Sequence, residues 1–149
     1  MPFDGELIEA QLAYGSIRPR ELAGIACDAL EAGFDGPGLR RLSALEEPSA
    51  CHADRFLQAA TAEMGLEQID VKRASIRLAQ RLARNILHGD QDPLPRMYEF
   101  FVFWMRSDFC AELATVGSFD DEKGWLTYST TMREEALMLL RKFAELEIG

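Results

Sequence analysis

The sequence predicts an all-α protein: one domain, residues 1–149, built as a bundle of about six helices. Three observations predict this class. Residues 71–88 carry apolar side chains at helical spacing around more than half of the circumference. Residues 93–115 are rich in aromatic side chains and apolar nearly all round. Gly repeatedly ends, and Pro repeatedly begins, the segments with this periodicity. We therefore expect the bundle to form around a central helix, 71–88, and its aromatic-rich partner, 93–115.

Shorter helices are expected before the central one. Each has an apolar stripe and a Gly or Pro at one boundary. Gly15, Gly33 and Gly65 follow the ends of three of them. Pro19 and Pro37 suit the first helical position, because the backbone N–H that Pro lacks would have no partner within the helix there. The expected spans are 4–14, 19–32, 37–45 and 49–64.

The central helix is expected to end at Gly89, the residue best able to adopt a left-handed conformation. Asp92 and Pro93 then suit the N-cap and first residue of the aromatic-rich helix. Its FFVF segment alone would pass for a buried strand, but the length and the surrounding pattern favour a helix. A polar loop, 117–129, in which a short hairpin at WLTY is possible, precedes a last helix that opens with the capping-box pattern of Thr131 and Glu134.

Composition excludes several classes of function. The formal net charge of -9 disfavours nucleic-acid and anionic-membrane partners and favours a basic one. No apolar run approaches the roughly 20 residues that span a bilayer. The N-terminus lacks the basic and apolar regions of a secretory signal, so we expect a cytoplasmic protein. The three cysteines have no metal-site spacing and are expected to be thiols.

The sequence contains no recognisable catalytic, metal or cofactor motif. Cys51 and His52 are neighbours, but adjacent helical positions point about 100° apart. His88, Asp90 and Asp92 cluster at a helix end and could form an acid–base site, although helix capping explains them more simply. We therefore expect no cofactor and no metal, and we favour a non-enzymatic protein.

The central helix carries an arginine strip, defined as Arg73, Arg77, Arg81, Arg84 and His88, and it contains no acidic residue. The strip could pair with carboxylates on neighbouring helices. Alternatively, Arg77, Arg81, Arg84 and His88 could bind a small anionic ligand or effector, because guanidinium groups match phosphate geometry. A nucleic-acid face is a third interpretation, which the overall acidity disfavours.

The 117–129 loop is the preferred partner-binding surface. It combines aromatic anchors with negative charge, and interface hot spots favour Trp and Tyr while acidic groups steer a basic partner. Burial of the aromatic residues in the bundle is the alternative. The candidate partner-binding residues are Phe119, Asp120, Asp121, Glu122, Trp125 and Tyr128.

Residues 86–97, ILHGDQDPLPRM, resemble a segment that recurs in small bacterial all-helical proteins, some of them associated with toxin–immunity loci. In that segment a helix end, Ile-Leu-x-Gly, is followed by an acidic turn and an Asp-Pro helix start. In the recurring segment a small residue often follows the Pro start. This chain departs from it by having Arg96, Met97 and Tyr98 there. The resemblance carries over no catalytic residue.

These observations predict a cytoplasmic, bacterial, non-enzymatic protein that binds another protein. Immunity-type neutralisation of a basic toxin is one concrete form of this hypothesis. The alternative is a helical domain that binds an anionic ligand through the arginine strip. Self-association is a further possibility, because the apolar 93–115 helix could pack against a second copy as readily as within one chain.

Overall fold

The computed structural model describes residues 2–46, 50–119 and 130–147. All regular secondary structure in these ranges is helical, in eight α-helices and three short 3₁₀ turns, which confirms the all-α prediction. The hairpin considered at WLTY lies outside the described residues. The helices are α1 (Gly5–Tyr14), α2 (Leu22–Glu31), α3 (Pro37–Ser43), α4 (Ala50–Glu63), α5 (Val71–His88), α6 (Met97–Arg106), α7 (Ala114–Gly117) and α8 (Thr130–Ala144).

The chain divides into two compact units, Met1–Ile69 and Asp70–Gly149. Each unit has its own buried apolar cluster. In the first unit the cluster lies between α2, α3 and α4. In the second it lies between α5, α6, α7 and α8. The single domain expected over 1–149 stays a prediction.

In the first unit, α3 is held at its N-terminus by a side chain from α4. The Glu63 carboxylate accepts hydrogen bonds from the backbone N–H groups of Gly38, at 2.9 Å, and Leu39, at 2.8 Å. These N–H groups have no partner inside α3, and a carboxylate also complements the positive end of the helix dipole. A Cβ atom at Gly36 would overlap the Glu63 side chain. The FDGPG turn therefore needs Gly36 for this contact.

In the second unit, α5 has the predicted bounds and is the central helix of its core. Asp70 caps its N-terminus by accepting a hydrogen bond from the Arg73 N–H at 2.8 Å. The buried face of α5 packs against α6 and α8. Phe100 of α6 and Phe143 of α8 meet edge to face at 6.4 Å in this core.

The predicted left-handed conformation at Gly89 is wrong. Gly89 has φ -84°, and the left-handed residue is Asp90, with φ 49°. The N–H of Gln91 then bonds the carbonyl of Ile86 at 3.1 Å, which closes the helix end in the usual manner. Asp is one of the few residues other than Gly that tolerate this conformation. The helix ends at His88 as predicted, and the left-handed residue that follows it lies one position after the glycine.

The predicted continuous helix over 93–115 is also wrong. A 3₁₀ turn (Leu94–Arg96) leads into α6, and α6 ends at a corner before a second 3₁₀ turn (Ala111–Leu113) and α7. At this corner Asp108 and Phe109 both have positive φ, 60° and 57°. Such conformations cannot continue a right-handed helix. This break is one reason why the described residues form eight α-helices and not the six expected.

Candidate functional site

The predicted partner-binding loop is described only at its start. Phe119 is buried, with 4% of its surface exposed, and packs in the core of the second unit. In this structure its ring supports the fold and is not presented to a partner. Asp120, Asp121, Glu122, Trp125 and Tyr128 lie outside the described residues, and their role in binding stays a prediction.

Part of the arginine strip has a structural role at the end of α8. The Arg84 guanidinium donates a hydrogen bond to the carbonyl of Ala144, the last residue of α8, at 3.1 Å. One turn earlier on α5, the buried Gln80 amide donates to the carbonyls of Phe143, at 3.1 Å, and Leu146, at 2.9 Å. The last carbonyls of a helix lack partners within it. Gln80 and Arg84 together supply those partners, and a cation there also suits the helix dipole.

The rest of the strip lies along the same helix at different depths. Arg73, Arg81 and His88 are exposed and Arg77 is half-buried. Arg77 and Arg81 each have an interaction partner of their own. Arg84 already donates a hydrogen bond to the end of α8. The four-residue anion site expected from the sequence would therefore share this guanidinium with a backbone carbonyl. That site stays a prediction.

Asp90 and Asp92, which the sequence placed in a cluster with His88, have separate structural roles. Asp92 accepts two hydrogen bonds from the Arg133 guanidinium, at 3.0 and 3.1 Å, and one from the Leu94 N–H, at 3.1 Å. The hydrogen bond from Arg133, foremost, holds the pKa of Asp92 below its usual value. Asp90 supplies the left-handed helix end. These arrangements favour the capping interpretation of the cluster.

The most distinctive surface in the described part of the chain is an apolar face on α6. We call it the aromatic face and define it by Tyr98, Phe101, Trp104, Met105 and Phe109. Tyr98, Met105 and Phe109 are 59%, 45% and 53% exposed, and the other two are half-buried. Positions 98, 101 and 105 recur at three and four residues, so they share one side of the helix. Contiguous exposed apolar side chains of this kind make the face a candidate interaction surface.

The rings of the aromatic face form a continuous series. Tyr98 stacks on Phe101 with centroids 6.0 Å apart. Phe101 meets Trp104 edge to face at 6.4 Å, and Trp104 meets Phe109 in the same way at 5.1 Å. These separations are those of favourable aromatic pairs. The exposed rings therefore hold one another in place.

Trp104 anchors the series to the body of the second unit. Its indole N–H donates to the carbonyl of Cys110 at 3.1 Å. A Cβ atom at Gly117 would overlap the Trp104 side chain, so α7 can approach the indole only because this residue is Gly. The Ser107 hydroxyl donates to the Trp104 carbonyl at 2.7 Å and accepts from the Cys110 N–H at 3.2 Å. Trp104 is thus fixed from several directions.

The corner after α6 holds Phe109 in an unusual conformation. A bulky residue with positive φ is a genuine outlier, and it costs about 1–2 kcal/mol relative to right-handed backbone. Here the corner places Phe109 against Trp104 and leaves its ring more than half exposed. Backbone strain of this kind concentrates at functional sites. Both the strain and the exposure are unfavourable for the isolated fold, which makes this corner part of a candidate site.

Charged groups at the edge of the aromatic face are mixed in sign. Glu99 and Arg106 lie within α6, and both are exposed. Glu99 also accepts hydrogen bonds from Arg96 within the chain. Asp108 follows at the corner and is exposed as well. The local balance of charge contrasts with the acidity of the whole chain.

The first unit has an open cleft of about 640 Å³ between α1, α4 and residues 66–69. Glu9, Asp54 and Glu67 give it acidic character, and leucines line part of its wall. Glu9 accepts a hydrogen bond from the Glu67 N–H at 2.7 Å, which ties residues after α4 to α1. In the described residues no group of three or more His, Cys, Asp or Glu could hold a metal ion.

The aromatic face is not the binding surface that the sequence predicted. The signal for it in the sequence is that 93–115 is apolar nearly all round and could pack against a second copy. The choice of loop 117–129 instead followed from its Trp, Tyr and acidic residues. Which side of α6 stays exposed depends on how α5, α7 and α8 cover the other sides.

No helix of the described ranges is long and apolar enough to cross a membrane. Comparisons with models of protein families, with characterised proteins and with solved structures gave no match to this chain.

Proposed function

We propose that this chain is a non-enzymatic binding protein, and that the aromatic face of α6 is the surface that contacts its protein partner. The observation that carries the proposal is the continuous series of rings from Tyr98 to Phe109, which is exposed at both of its ends. Aromatic residues and Met are enriched in protein interfaces, whereas Lys, Glu and Asp are depleted from interface cores.

The rigidity of this surface also supports the proposal. Rings that are already packed against one another lose little conformational freedom on binding, which improves affinity for a given area. Trp104 is fixed by Cys110 and by the close approach of Gly117. The hypothesis of an immunity-type protein for a basic toxin rests instead on the acidity of the chain and on the 117–129 loop, and it stays a prediction.

Site-specific photo-crosslinking tests the proposal. A benzoylphenylalanine residue replaces Tyr98 in the protein expressed in its source cells, and covalent adducts are identified by mass. Met105→Glu in the same chain places a charge in the aromatic face, and we expect it to reduce the adducts at least tenfold. Met138→Glu is the matched control, because Met138 of α8 is a methionine of similar exposure, 48%.

The control variant should leave the adducts unchanged. Absence of adducts at position 98, or equal loss in the two glutamate variants, would remove the aromatic face from the proposal. Far-UV circular dichroism of both variants establishes that each remains folded.

A further inference from the structure

The aromatic face has two oppositely charged side chains along one edge. Glu99 and Arg106 are seven residues apart, about two helical turns, so they project from nearly the same side of α6. Both are exposed, and one lies near each end of the helix. Their midpoint falls within about one residue of the midpoint between Tyr98 and Met105, the outermost members of the aromatic face on α6 itself. The charges are therefore arranged symmetrically about the centre of the aromatic face.

This arrangement is complementary to itself under a two-fold rotation. In an antiparallel pair of α6 helices, each edge meets the same edge of the other helix, in the opposite direction. Glu99 of each copy then lies opposite Arg106 of the other. Two attractive pairs form between the copies, in addition to the bonds from Arg96 to Glu99 and the interaction of Arg106 within each chain. Tyr98 lies towards Met105 across the pair. In a parallel pair, the edge with Glu99 and Arg106 would instead meet the other edge of the second helix, which carries Phe101. Neither charge would then face an opposite charge.

We infer that the partner of the aromatic face is a second copy of this chain, docked with its α6 antiparallel and its Glu99 opposite Arg106. This inference rests on the proposed function, because it names the occupant of the same surface. A two-fold contact of this kind is the commonest interface between identical chains. Its self-complementary charges fix the direction and register of the two helices.

The size of the aromatic face sets the expected strength of the association. Aromatic side chains bury about 150–250 Å² each when fully covered. The four rings and Met105 are half-buried to about half exposed, so together they offer on the order of 400 Å² per copy. Stable complexes bury about 800 Å² per partner. The formal charge of -9 on each copy also opposes association. We therefore expect a weak, reversible dimer.

Sedimentation equilibrium of the purified chain, at concentrations from roughly 10 µM to 1 mM in about 0.15 M salt, tests this inference. The mean mass should rise from 16.7 kDa towards twice that value. Glu99→Arg or Arg106→Glu alone places like charges opposite each other, and each should raise the dissociation constant at least tenfold. An equimolar mixture of these two variants should associate again, because each then meets the opposite charge on the other.

Matched controls separate the local contact from the change in net charge. Glu134→Arg and Arg141→Glu make the same charge changes at exposed positions of α8, and each should alter the dissociation constant less than threefold. Recovery in the mixture also shows that neither α6 variant is unfolded. Two variants that remain monomeric when mixed, beside a wild-type dimer, would overturn the antiparallel docking on α6.

The outcome can also distinguish the two proposals. A wild-type chain that stays monomeric up to 1 mM overturns the self-association. If Tyr98 still crosslinks to another protein in cells, and Met105→Glu abolishes those adducts, the proposed function survives with a different partner. Loss of both results would remove the aromatic face as a binding surface altogether.

Discussion

Replacement of Gln80 by Met tests the capping of α8 by the central helix. Met keeps the length and the unbranched shape of the side chain but removes both hydrogen-bond donors. The Phe143 carbonyl would retain the Leu146 N–H at 3.2 Å, whereas the Leu146 carbonyl would lose the amide that lies 2.9 Å away. Two hydrogen bonds contribute about 1 kcal/mol each, and one partly buried carbonyl would lack a partner. We expect the free energy of unfolding to fall by about 2–3 kcal/mol.

Urea denaturation followed by tryptophan fluorescence measures this loss in the second unit, because both tryptophans of the sequence, Trp104 and Trp125, belong to residues 70–149. Arg84→Met is the comparison. Its single hydrogen bond to Ala144 is exposed, so we expect a loss below about 1 kcal/mol. A Gln80→Met protein within about 0.5 kcal/mol of wild type, or a larger loss in Arg84→Met, would refute the reasoning.

Three further predictions concern helix ends and pH. Gly36→Ala should lower the free energy of unfolding by about 1–2 kcal/mol, because the new Cβ displaces the Glu63 cap. Gly24→Ala is the control and should be neutral or stabilising, because a Cβ there meets nothing within 4 Å. Thermal unfolding followed by circular dichroism compares the two variants. Asp90→Gly should raise the free energy of unfolding by about 0.5–1 kcal/mol in urea, and a decrease would argue against a left-handed cost there. The pKa of Asp92 is lowered in the folded state, so its contribution is complete above the unfolded value near 3.8 and is lost as pH falls below it. Between about pH 5 and pH 2.5, the free energy of unfolding should therefore fall less in Asp92→Asn than in wild type. The difference between the two falls should be below about 1 kcal/mol, because the ion pair is exposed. Identical acid unfolding curves would contradict this prediction.

The sequence predicted the fold best where the physical signal is local and long. The periodicity of α5 extends over the whole of Val71–His88, and the chain has a good N-cap, Asp70, immediately before it. The predicted and observed bounds therefore agree. The same reasoning placed α1, whose cap Asp4 and left-handed Gly15 are both local signals.

The corner after α6 could not be predicted because its local signal is weak. Asp108 is a residue type that tolerates left-handed backbone, but Phe109 adopts it as well, and apolar residues resume directly after the short polar stretch 106–108. The conformation is held by contacts with Trp104, including the Phe109 N–H bond to the Trp104 carbonyl at 2.9 Å. A pattern of apolar positions reports which residues prefer burial, and it does not report where a chain leaves the helix.

The arginine strip shows a related difficulty. A row of guanidinium groups on one helix is visible in the sequence, but its role depends on the residues that approach it from distant parts of the chain. Arg84 reaches Ala144, 60 positions away. Gln80, which binds the same helix end, carries no charge and gave no signal beside the arginines. Charge spacing thus drew attention to one face of α5 without revealing what that face contacts.

The aromatic face illustrates why exposure is the decisive quantity in this chain. A helix that is apolar on nearly every side has more apolar surface than its own fold can cover, and the sequence cannot say which sector remains. Gly117 lets α7 approach Trp104 closely, and the neighbouring helices cover the sector that contains Phe100. The opposite sector, with Tyr98 and Met105, is left at the surface. The pairing of these rings with one another offsets only part of the cost of their exposure and of the strain at Phe109, so we relate their presence to the partner contact that we propose for this face.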